Sequence, residues 1–404
     1  MFKVSTFCKI ENMALEELKI YNFGPLKRVS VKINKYTIFI GNQGTGKSTI
    51  AKLYSMFVWL EKSLIRGDIS KAECQKKSKF KTYCKYHRID TYLQKNTQIF
   101  YSNEYYDIEY SNARLKIVEK QFNEQIIYRL PKIMYVPAER SFLNVAEQAR
   151  TLKGLPPALD TFLTEYENAK VFFKSGMDLP WNDSRFEYDV QNKISYIIGI
   201  DYKIRLHQAS SGYHSALPLL LVSAYLNKLV DSKDGVELTN EDRRRIQKMF
   251  MSLIDENIPE EIRTEYIATI SSKYKYSSFI NVVEEPEVNL YPASQRNILY
   301  KLLEYAYRDG SKLLITTHSP YLIGYIGLAC KAFKIKDIAP PEKISKIIPR
   351  SAWINPQHVT IYQTTDNDVK KLPMEYGMPS DKNFLNEELG KFNEQLAKLI
   401  DIEE

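Results

Sequence analysis

The sequence contains little cysteine, and its few cysteines show no paired spacing. Four occur in 404 residues, namely Cys8, Cys74, Cys84 and Cys330. A small secreted domain held by disulfides needs a denser, regular set, so that class is excluded and a reducing compartment is indicated. We therefore expect a cytoplasmic protein.

The sequence also lacks a long apolar run. The most apolar stretches cover 216–226 and 312–332. The first is shorter than the roughly 20 residues of a membrane span, and polar residues and Pro320 interrupt the second. The start of the chain, MFKVSTFCKIEN, has no signal-peptide core. These absences predict a protein without membrane contact.

Charge of one sign is not strongly in excess. The formal net charge is +8, and 44% of the residues are hydrophobic. This composition suits a globular chain with a buried core, and the mild excess of cations permits nucleic-acid contact without requiring it. No internal repeat and no long run of heptads is present, which excludes solenoids and extended coiled coils.

The most specific motif is GNQGTGKS at residues 41–48. An apolar strand pattern precedes it and a helix pattern at 48–59 follows, as a phosphate-binding loop (Walker A motif) requires. Its glycines let backbone N–H groups surround a β-phosphate, whereas an ordinary glycine-rich turn is the alternative. Lys47 would reach the β- and γ-phosphates, and Ser48 would bind magnesium. The predicted nucleotide-binding residues are Gly41, Asn42, Gln43, Gly44, Thr45, Gly46, Lys47, Ser48 and Thr49.

A second motif, FINVVEEPE at 279–287, is an apolar strand pattern that ends in acids, as in a Walker B motif. Glu284 would hold the magnesium ion, usually through water. Glu285 would orient or deprotonate the water that attacks a phosphate. Metal and base must be adjacent for this reaction, and neighbouring acids meet that need. The alternative is a solvated acidic turn.

Two shorter motifs complete the candidate site. His318 ends the strand pattern of LLITTHSP at 313–320, where an imidazole can hydrogen-bond a γ-phosphate, although a lone histidine is more often structural. The sequence ASSG at 209–212 precedes an apolar helix pattern. Ser211, Gly212 and the helix N-terminal amides could there bind the γ-phosphate of a nucleotide held by another subunit, although SSG is also a common turn.

The order of these motifs resembles that of the ABC-type ATPases. Within that fold it is most similar to the branch containing RecF, SMC heads and the OLD (overcoming lysogenization defect) family. Three segments favour OLD-like proteins: YVPAERSF at 135–142, EEPEVNLYP at 284–292 and INPQHVTIY at 354–362. The pattern departs from the family at Asn289 and Tyr291, which replace two usual histidines.

The resemblance implies an α/β fold, namely a two-lobed ABC-type ATPase head. This is a P-loop NTPase with a mixed sheet core, a helical lobe and insertions. We expect one composite domain over 13–404. The first lobe is expected to carry an irregular insertion, rich in lysine and tyrosine, at 61–130. A helical and signature region is expected at 141–275; it is mixed and helical over 141–195 and includes an insertion at 231–275 with an amphipathic helix at 239–254. A second lobe is expected at 279–404.

The resemblance also implies that two copies share each site. ATP and Mg²⁺ would join two heads head to tail, and hydrolysis would release them. One copy would supply Lys47, Ser48, Glu284, Glu285 and His318, and the other copy would supply Ser211 and Gly212. Catalysis is assigned to Glu285, His318 and Lys47.

The motifs do not name what such an ATPase would drive. OLD-family nucleases carry a TOPRIM domain, and Asp366 and Asp368 form a D-x-D pair, but only residues 369–404 follow, so we expect a surface turn. We expect an ATPase subunit that controls or scaffolds a separate effector, such as a nuclease, a TOPRIM protein or a retron component, in bacterial anti-phage defence. The alternative is a DNA-repair ATPase of RecF or SMC type that acts directly on DNA.

Residues 71–88 bear on this choice. Cations there alternate with Phe80, Tyr83 and Tyr86, and charge plus aromatic faces suits a nucleic-acid surface. A solvated or partner-binding lobe is the alternative, and Cys74, Cys84 and His87 are too few for a zinc site. The cations are Lys71, Lys76, Lys77, Lys79, Lys81, Lys85 and Arg88.

The last segment shows one apolar helix face, with large residues at alternating steps of four and three. We expect this face to pack on the second lobe, with an oligomer or partner contact as the alternative. Its apolar positions are Leu385, Leu389, Phe392, Leu396 and Leu399.

Overall fold

The structure is a computed structural model that describes residues 16–121, 128–144, 153–231, 275–365 and 368–403. Several predictions lie outside the described residues. They are the start of the domain at 13, Cys8, the amphipathic helix at 239–254, most of the insertion at 231–275, and Asp366.

The described elements are numbered along the chain. The strands are β1 (Glu16–Phe23), β2 (Leu26–Ile33), β3 (Tyr36–Gly41), β4 (Leu93–Ser102), β5 (Tyr106–Ser111), β6 (Arg114–Glu119), β7 (Pro131–Val136), β8 (Met177–Asp178), β9 (Arg185–Asp189), β10 (Ile194–Ile198), β11 (Lys203–Arg205), β12 (Ser278–Glu284), β13 (Lys312–Thr317), β14 (Val359–Thr364), β15 (Val369–Lys371), β16 (Met374–Glu375) and β17 (Met378–Pro379). The α-helices are α1 (Lys47–Arg66), α2 (Lys71–Cys74), α3 (Lys79–Tyr86), α4 (Pro157–Phe172), α5 (Ser211–Asp231), α6 (Pro292–Tyr305), α7 (Pro320–Lys334), α8 (Pro341–Ser345) and α9 (Phe384–Glu403).

The centre of the fold is a six-stranded sheet in the order β15-β14-β3-β13-β12-β7. Its strands are parallel except for the β14–β15 pair. Neighbouring residues of β3 face opposite sides, so Ile38 and Ile40 join one hydrophobic core and Phe39 joins the other. Burial on both faces explains why these strands read as continuous apolar runs.

A second sheet, β2-β1-β4-β5-β6, is antiparallel and packs with α1 against one face of the central sheet. Phe57 of α1 stacks on Tyr101 of β4, with ring centroids 5.2 Å apart. The expectation that residues 61–130 are irregular is therefore wrong, because β4, β5 and β6 extend the sheet begun by β1 and β2. The strand predicted directly before the loop is confirmed as β3, and the first helix extends beyond its predicted end at residue 59 to Arg66.

Helices α4, α5, α6 and α7 contribute to the core on the other face of the central sheet. In the described part of 141–195, the helical expectation holds for α4 and for a 3₁₀ helix that ends at Asn144. Strands β8 to β10 lie in the same range and form a small antiparallel sheet with β11. The architecture thus confirms the expected α/β class, with a largely parallel central sheet whose strand β3 leads directly into the 41–48 loop and α1. Among the described residues, no helix is long and apolar enough to cross a bilayer.

The last helix, α9, does not pack as predicted. Asn383 caps its first turn, where the Asn383 Oδ1 atom accepts hydrogen bonds from the backbone N–H groups of Leu385 and Asn386. Beyond that turn its apolar face is exposed, with Phe392 at 67% and Leu399 at 64% relative exposure. The prediction of packing on the second lobe holds for Leu385, which packs against the core, and is wrong for the rest of the predicted face. The alternating four- and three-residue spacing identified a helix, but the spacing did not specify what covers it.

Candidate functional site

The candidate site lies where the carboxyl ends of the parallel strands meet. In the register of the sheet, Glu284 of β12 pairs with Thr316 of β13, and Thr317 of β13 pairs with Ile40 of β3. The predicted loop, acids and histidine each follow one of these strand ends. The parallel topology therefore collects them at one edge, the usual place for a ligand in such a sheet.

The phosphate-binding loop is held in a backbone conformation that favours glycine. Gly46 precedes α1 with φ of 90°, and Gly44 has φ of 79°. The Lys47 Nζ atom donates to the backbone oxygens of Gly41 and Asn42, at 2.9 and 2.7 Å. Burial lowers the pKa of Lys47 to about 8, although the charges of Glu285, Glu287 and Glu284 oppose this shift.

Exposure within the loop divides its residues into two groups. Asn42, Gln43 and Gly44 are exposed, Ser48 is half-buried, and Thr45 and Thr49 are buried. The exposed group is open to a ligand, whereas the buried threonines fix the loop on the sheet and helix.

Thr364, at the end of β14, supports the loop and was not among the predicted site residues. Its hydroxyl donates to the backbone oxygen of Ile40 at 3.1 Å and shares a 2.6 Å hydrogen bond with the Thr45 hydroxyl. A Cβ atom at Gly41 would lie 2.3 Å from the Thr364 backbone oxygen. Only glycine allows β14 to approach the loop this closely.

Glu284 is almost fully buried, at 4% relative exposure, and its Oε1 atom has no hydrogen-bond partner among the described residues. Burial raises its pKa, while the charge of Lys52 and the hydroxyls of Tyr135 and Ser48 favour the ionised form. A buried carboxylate oxygen without a partner is costly unless a cation satisfies it. This unsatisfied oxygen beside Ser48 fits a hard divalent cation such as Mg²⁺, which takes one or two protein ligands plus phosphates and water.

Glu285 and His318 face each other next to the loop. The His318 Nε2 atom lies 3.7 Å from the Glu285 Oε1 atom, and about a third of each side chain is exposed, at 30% and 35%. Burial and the charge of Lys47 lower the pKa of His318, which favours the neutral imidazole. Glu285 has φ of 42°, a left-handed conformation that is unusual outside glycine and that concentrates at functional sites.

Glu287, the third acid of the EEPE motif, links the segment after β12 to the end of β13. Its Oε1 atom accepts hydrogen bonds from the His318 backbone N–H and the Thr317 hydroxyl, both at 2.7 Å. Burial raises its pKa, and its Oε2 atom has no partner among the described residues. Glu287 was not among the predicted site residues, although its place in the motif was a usable signal.

Arg140 of the YVPAERSF motif is fully buried beneath the two Walker B acids. It donates to the backbone oxygens of Glu284 at 2.7 Å and Glu285 at 2.8 Å. It also donates to those of Pro137 and Ser215, at 3.1 and 3.0 Å. The motif therefore has a structural explanation: one guanidinium joins the acids to α5.

The signature residues lie at the start of α5, apart from the loop. Ser211 is exposed at the first position of the helix, and among the described residues its hydrogen bonds do not reach the phosphate loop. Gly212 packs on the segment after β12, where an added Cβ would lie 3.2 Å from the Asn289 backbone oxygen. Asn289 Nδ2 also donates to the Ser215 hydroxyl at 3.0 Å. The structure thus collects Lys47, Ser48, Glu284, Glu285 and His318, and it places Ser211 elsewhere.

Residues 71–88 do not present the aromatic faces that were predicted. Phe80 and Tyr83 are buried in the core of the antiparallel lobe, and only Tyr86 is partly exposed, at 37%. Buried rings cannot stack on bases, so the stacking part of the nucleic-acid prediction is wrong. Exposed cations remain on this surface at Lys76, Lys77, Lys81, Lys85 and Arg88.

These groups can perform phosphate chemistry together. The loop amides and Lys47 can bind a polyphosphate, and Ser48 and Glu284 can hold a divalent cation. Glu285 can take a proton from water, and His318 can donate a hydrogen bond to an outer phosphate oxygen.

Comparison with solved structures returns distant similarities. The SMC head domain from Thermotoga maritima is 9% identical with a TM-score of 0.38, covering 90% of this chain and 100% of that one. A Pyrococcus furiosus Smc head bound to the C-terminal domain of ScpA is 11% identical with a TM-score of 0.38, covering 95% and 99%. The recombination mediator RecF is 10% identical with a TM-score of 0.32, covering 89% and 98%.

Comparison of sequences gives a closer assignment. No curated protein matches the chain significantly. A family described as the AAA ATPase domain matches residues 13–63 and 61–323. This match covers more than half of the chain and includes the loop, the signature, both Walker B acids and His318. The chain therefore belongs to the AAA ATPase domain family.

Proposed function

We propose that the protein binds and hydrolyses ATP with Mg²⁺. The observation that carries this proposal is the buried Glu284 carboxylate, whose Oε1 atom lacks a partner among the described residues beside the phosphate-binding loop. A buried carboxylate oxygen without a hydrogen-bond partner destabilises the fold, and a bound cation would offset this destabilisation. The ion would sit between Ser48 and Glu284 and would neutralise charge on the β- and γ-phosphates.

The chain's own residues would do the remaining work. The amides of the loop and Lys47 bind the phosphates, and Lys47 must exchange its backbone acceptors Gly41 and Asn42 for phosphate oxygens. Glu285 accepts the proton of the attacking water. His318 enters the reaction as a neutral imidazole and donates a hydrogen bond to the γ-phosphate, which orients the terminal group.

We further propose that two copies share each site head to tail. Ser211 is exposed at the N-terminus of α5, a place suited to a phosphate, and none of its described hydrogen bonds reaches its own loop. In the proposed dimer it meets the γ-phosphate held by the second copy. ATP binding then stabilises the dimer, and hydrolysis releases it.

The dimer would control or scaffold a separate effector, such as a nuclease, a TOPRIM protein or a retron component, in bacterial anti-phage defence. The resemblance of the motifs to OLD-like proteins supports this part. A second candidate is direct action on DNA in repair, which the exposed cations of residues 71–88 favour. Binding of the isolated protein to DNA with a steep salt dependence would favour the second candidate.

The dimer is tested with Glu285→Gln, which keeps the shape of the side chain and removes the base. With ATP and Mg²⁺, light scattering should show a stable dimer, and the variant should turn over ATP at least about a hundredfold more slowly. ADP should leave the protein monomeric. Ser211→Ala in the Glu285→Gln background is the matched control, because it removes only the contact with the second copy.

Three results would contradict parts of the proposal. A Glu285→Gln protein that stays monomeric with ATP excludes the sandwich, and a dimer that forms equally without nucleotide excludes ATP as its cause. If Lys47→Ala binds ATP as tightly as the original chain, the assignment of the loop itself fails.

A further inference from the structure

Arg140 connects two parts of the site that have different tasks. Its Nη1 and Nη2 atoms donate to the backbone oxygens of Glu284 and Glu285, while its Nε atom donates to that of Ser215. The acids belong to the end of β12, and Ser215 lies one turn after Ser211 in α5. A single planar group therefore spans the acids and the signature helix.

The position of this guanidinium restricts its movement. The side chain has 0% relative exposure, and its described hydrogen bonds go to backbone oxygens alone. Leaving any of its N–H groups unpaired in the core would be costly, so Arg140 cannot release one oxygen without replacing it. A shift of α5 must therefore be followed by the backbone of the acids, or the reverse.

The signature end of this connection is tightly held. The Ser215 hydroxyl donates to the Ser211 backbone oxygen at 3.1 Å and accepts a hydrogen bond from Asn289 at 3.0 Å. Ser215 thus fixes the first turn of α5 through its side chain and binds Arg140 through its backbone. A phosphate that moves Ser211 moves Ser215 with it.

At the other end of this connection, the backbone of Glu285 is strained. Glu285 has a left-handed backbone with φ of 42°. Its N–H donates to the Thr316 oxygen at 2.8 Å, and its own oxygen accepts from Arg140. These two bonds fix the direction in which the Glu285 carboxylate leaves the chain, so a change at Arg140 turns the base toward or away from the attacking water.

We propose that Arg140 is a positioning residue that couples occupancy of Ser211 to the orientation of Glu285. The coupling rests on the proposed two-copy site. When the nucleotide of a second copy binds at Ser211, the first turn of α5 becomes fixed, and Arg140 fixes Glu285 for hydrolysis. In a head without a second copy, ATP binds but the orientation of the Glu285 carboxylate is not fixed. ATP turnover therefore depends on dimerisation.

A double-mutant cycle on ATP turnover tests this coupling. Arg140→Lys keeps the charge but cannot reach four oxygens, and Ser211→Ala removes the contact with the second copy. Each single variant should lower kcat roughly tenfold, and the double variant should be no slower than the slower single variant. Binding of ADP to each variant should stay within about twofold of the original chain, because neither change touches the loop.

Tyr166→Phe is the matched control, because its hydroxyl donates to Asn144, whose amide donates to the His214 oxygen of the same helix. Its effect should be small and should multiply with that of Ser211→Ala. Should Arg140→Lys not fold, as judged by its thermal melt, Arg140→Gln replaces it with the same expectation.

Three outcomes would overturn the coupling. Multiplying effects of Arg140→Lys and Ser211→Ala show that the two residues act independently. A loss of ADP binding in Arg140→Lys shows a general structural role. An unchanged kcat in Ser211→Ala contradicts the two-copy site itself. In that case Arg140→Lys alone would still lower kcat, which distinguishes this outcome from the other two.

Discussion

Gly44 and Gly46 differ in what surrounds them, although both have positive φ. A Cβ atom at Gly46 would lie 2.2 Å from the Leu26 Cδ2 atom, whereas a Cβ atom at Gly44 would have no described neighbour within 4 Å. Backbone strain therefore applies at both positions, and a steric clash applies only at Gly46.

We predict that Gly46→Ala destabilises the fold by about 2–4 kcal/mol and abolishes nucleotide binding, because the loop must move away from Leu26. Gly44→Ala, the matched control, should cost only about 1 kcal/mol. Urea unfolding and titration with a fluorescent ATP analogue measure both effects. Equal losses in the two variants would contradict the role assigned to Leu26.

Glu61, in α1, is a buried acid far from the proposed chemistry. Its Oε2 atom accepts hydrogen bonds from the Tyr101 hydroxyl, at 3.0 Å, and from the Asn103 amide. Burial, together with the nearby charge of Glu16, raises the pKa of Glu61 to about 8. The folded protein therefore keeps a proton that the unfolded chain releases near its ordinary value of 4.5.

The sign of the pH effect follows. Between about pH 4.5 and 8 the folded state binds more protons than the unfolded state, so the free energy of unfolding falls as pH rises through this window. We predict that Glu61→Gln stabilises the protein at pH 7 by on the order of 2 kcal/mol and flattens this slope. Glu342→Gln, a control at an exposed position, should change neither the stability at pH 7 nor its slope with pH. Urea unfolding at several pH values between 4.5 and 8 measures this slope. If the slope is the same in Glu61→Gln as in the original chain, the raised pKa of Glu61 is not its cause.

At the scale of elements, β14 is the support of the phosphate-binding loop. It pairs with β3 over the whole of that strand, from Val359 opposite Tyr36 to Thr364 opposite Gly41. The last residue of this ladder, Thr364, donates to Ile40 and shares a hydrogen bond with Thr45. The loop is thus held from the side as well as by its own strand.

We predict that Thr364→Val weakens ATP binding by about five- to tenfold and lowers stability by about 1–2 kcal/mol, because two hydroxyl contacts are lost at constant volume. Thr364→Ser keeps the hydroxyl and should stay close to the original chain. Isothermal titration with ATP and a thermal melt give the two quantities. A Ser variant as weak as the Val variant would point to the methyl group instead.

How far the sequence predicts these elements depends on the range of the contacts. The loop, the acids and His318 were found because each motif is local and follows a strand. Thr364 and Arg140 act across 319 and 144 residues of chain, respectively. No local pattern specifies such pairings, because strand order is set by packing of the whole sheet.

The antiparallel lobe shows the opposite case, a local signal that was missed. Strands β5 and β6 alternate buried and exposed residues, and their turn contains Asn112 and Ala113, both with positive φ, as a tight hairpin requires. Period-two alternation was present in the sequence, but the many lysines and tyrosines of this region concealed it. For α9 the period was recognised, yet burial could not be predicted from it.

At the scale of the whole molecule, α9 leaves an apolar face on the surface. Residues 391–403 of this helix are all exposed, with Leu389, Phe392, Leu396 and Leu399 on one side. We therefore expect this contiguous apolar face to bind hydrophobic probes and to contribute little to the stability of the head.

We predict that ending the chain after Glu388 shifts the thermal unfolding midpoint by less than about 2 °C, because no side chain beyond it is buried. Binding of a hydrophobic dye such as ANS should fall. A full-length variant with Leu389, Phe392, Leu396 and Leu399 replaced by Gln should show the same fall, which separates the apolar face from chain length. A large drop in the midpoint would show that the helix packs on the head.

The attachment of α9 gives this helix a mechanical consequence. The Phe384 N–H donates to the Gln363 Oε1 atom at 2.9 Å, and the next residue along β14 is Thr364, which braces the loop. A 20-residue helix is about 30 Å long, and only its first turn is fastened. We therefore expect a force on the free end of α9 to act through Gln363 on β14, next to Thr364, which contacts the phosphate-binding loop.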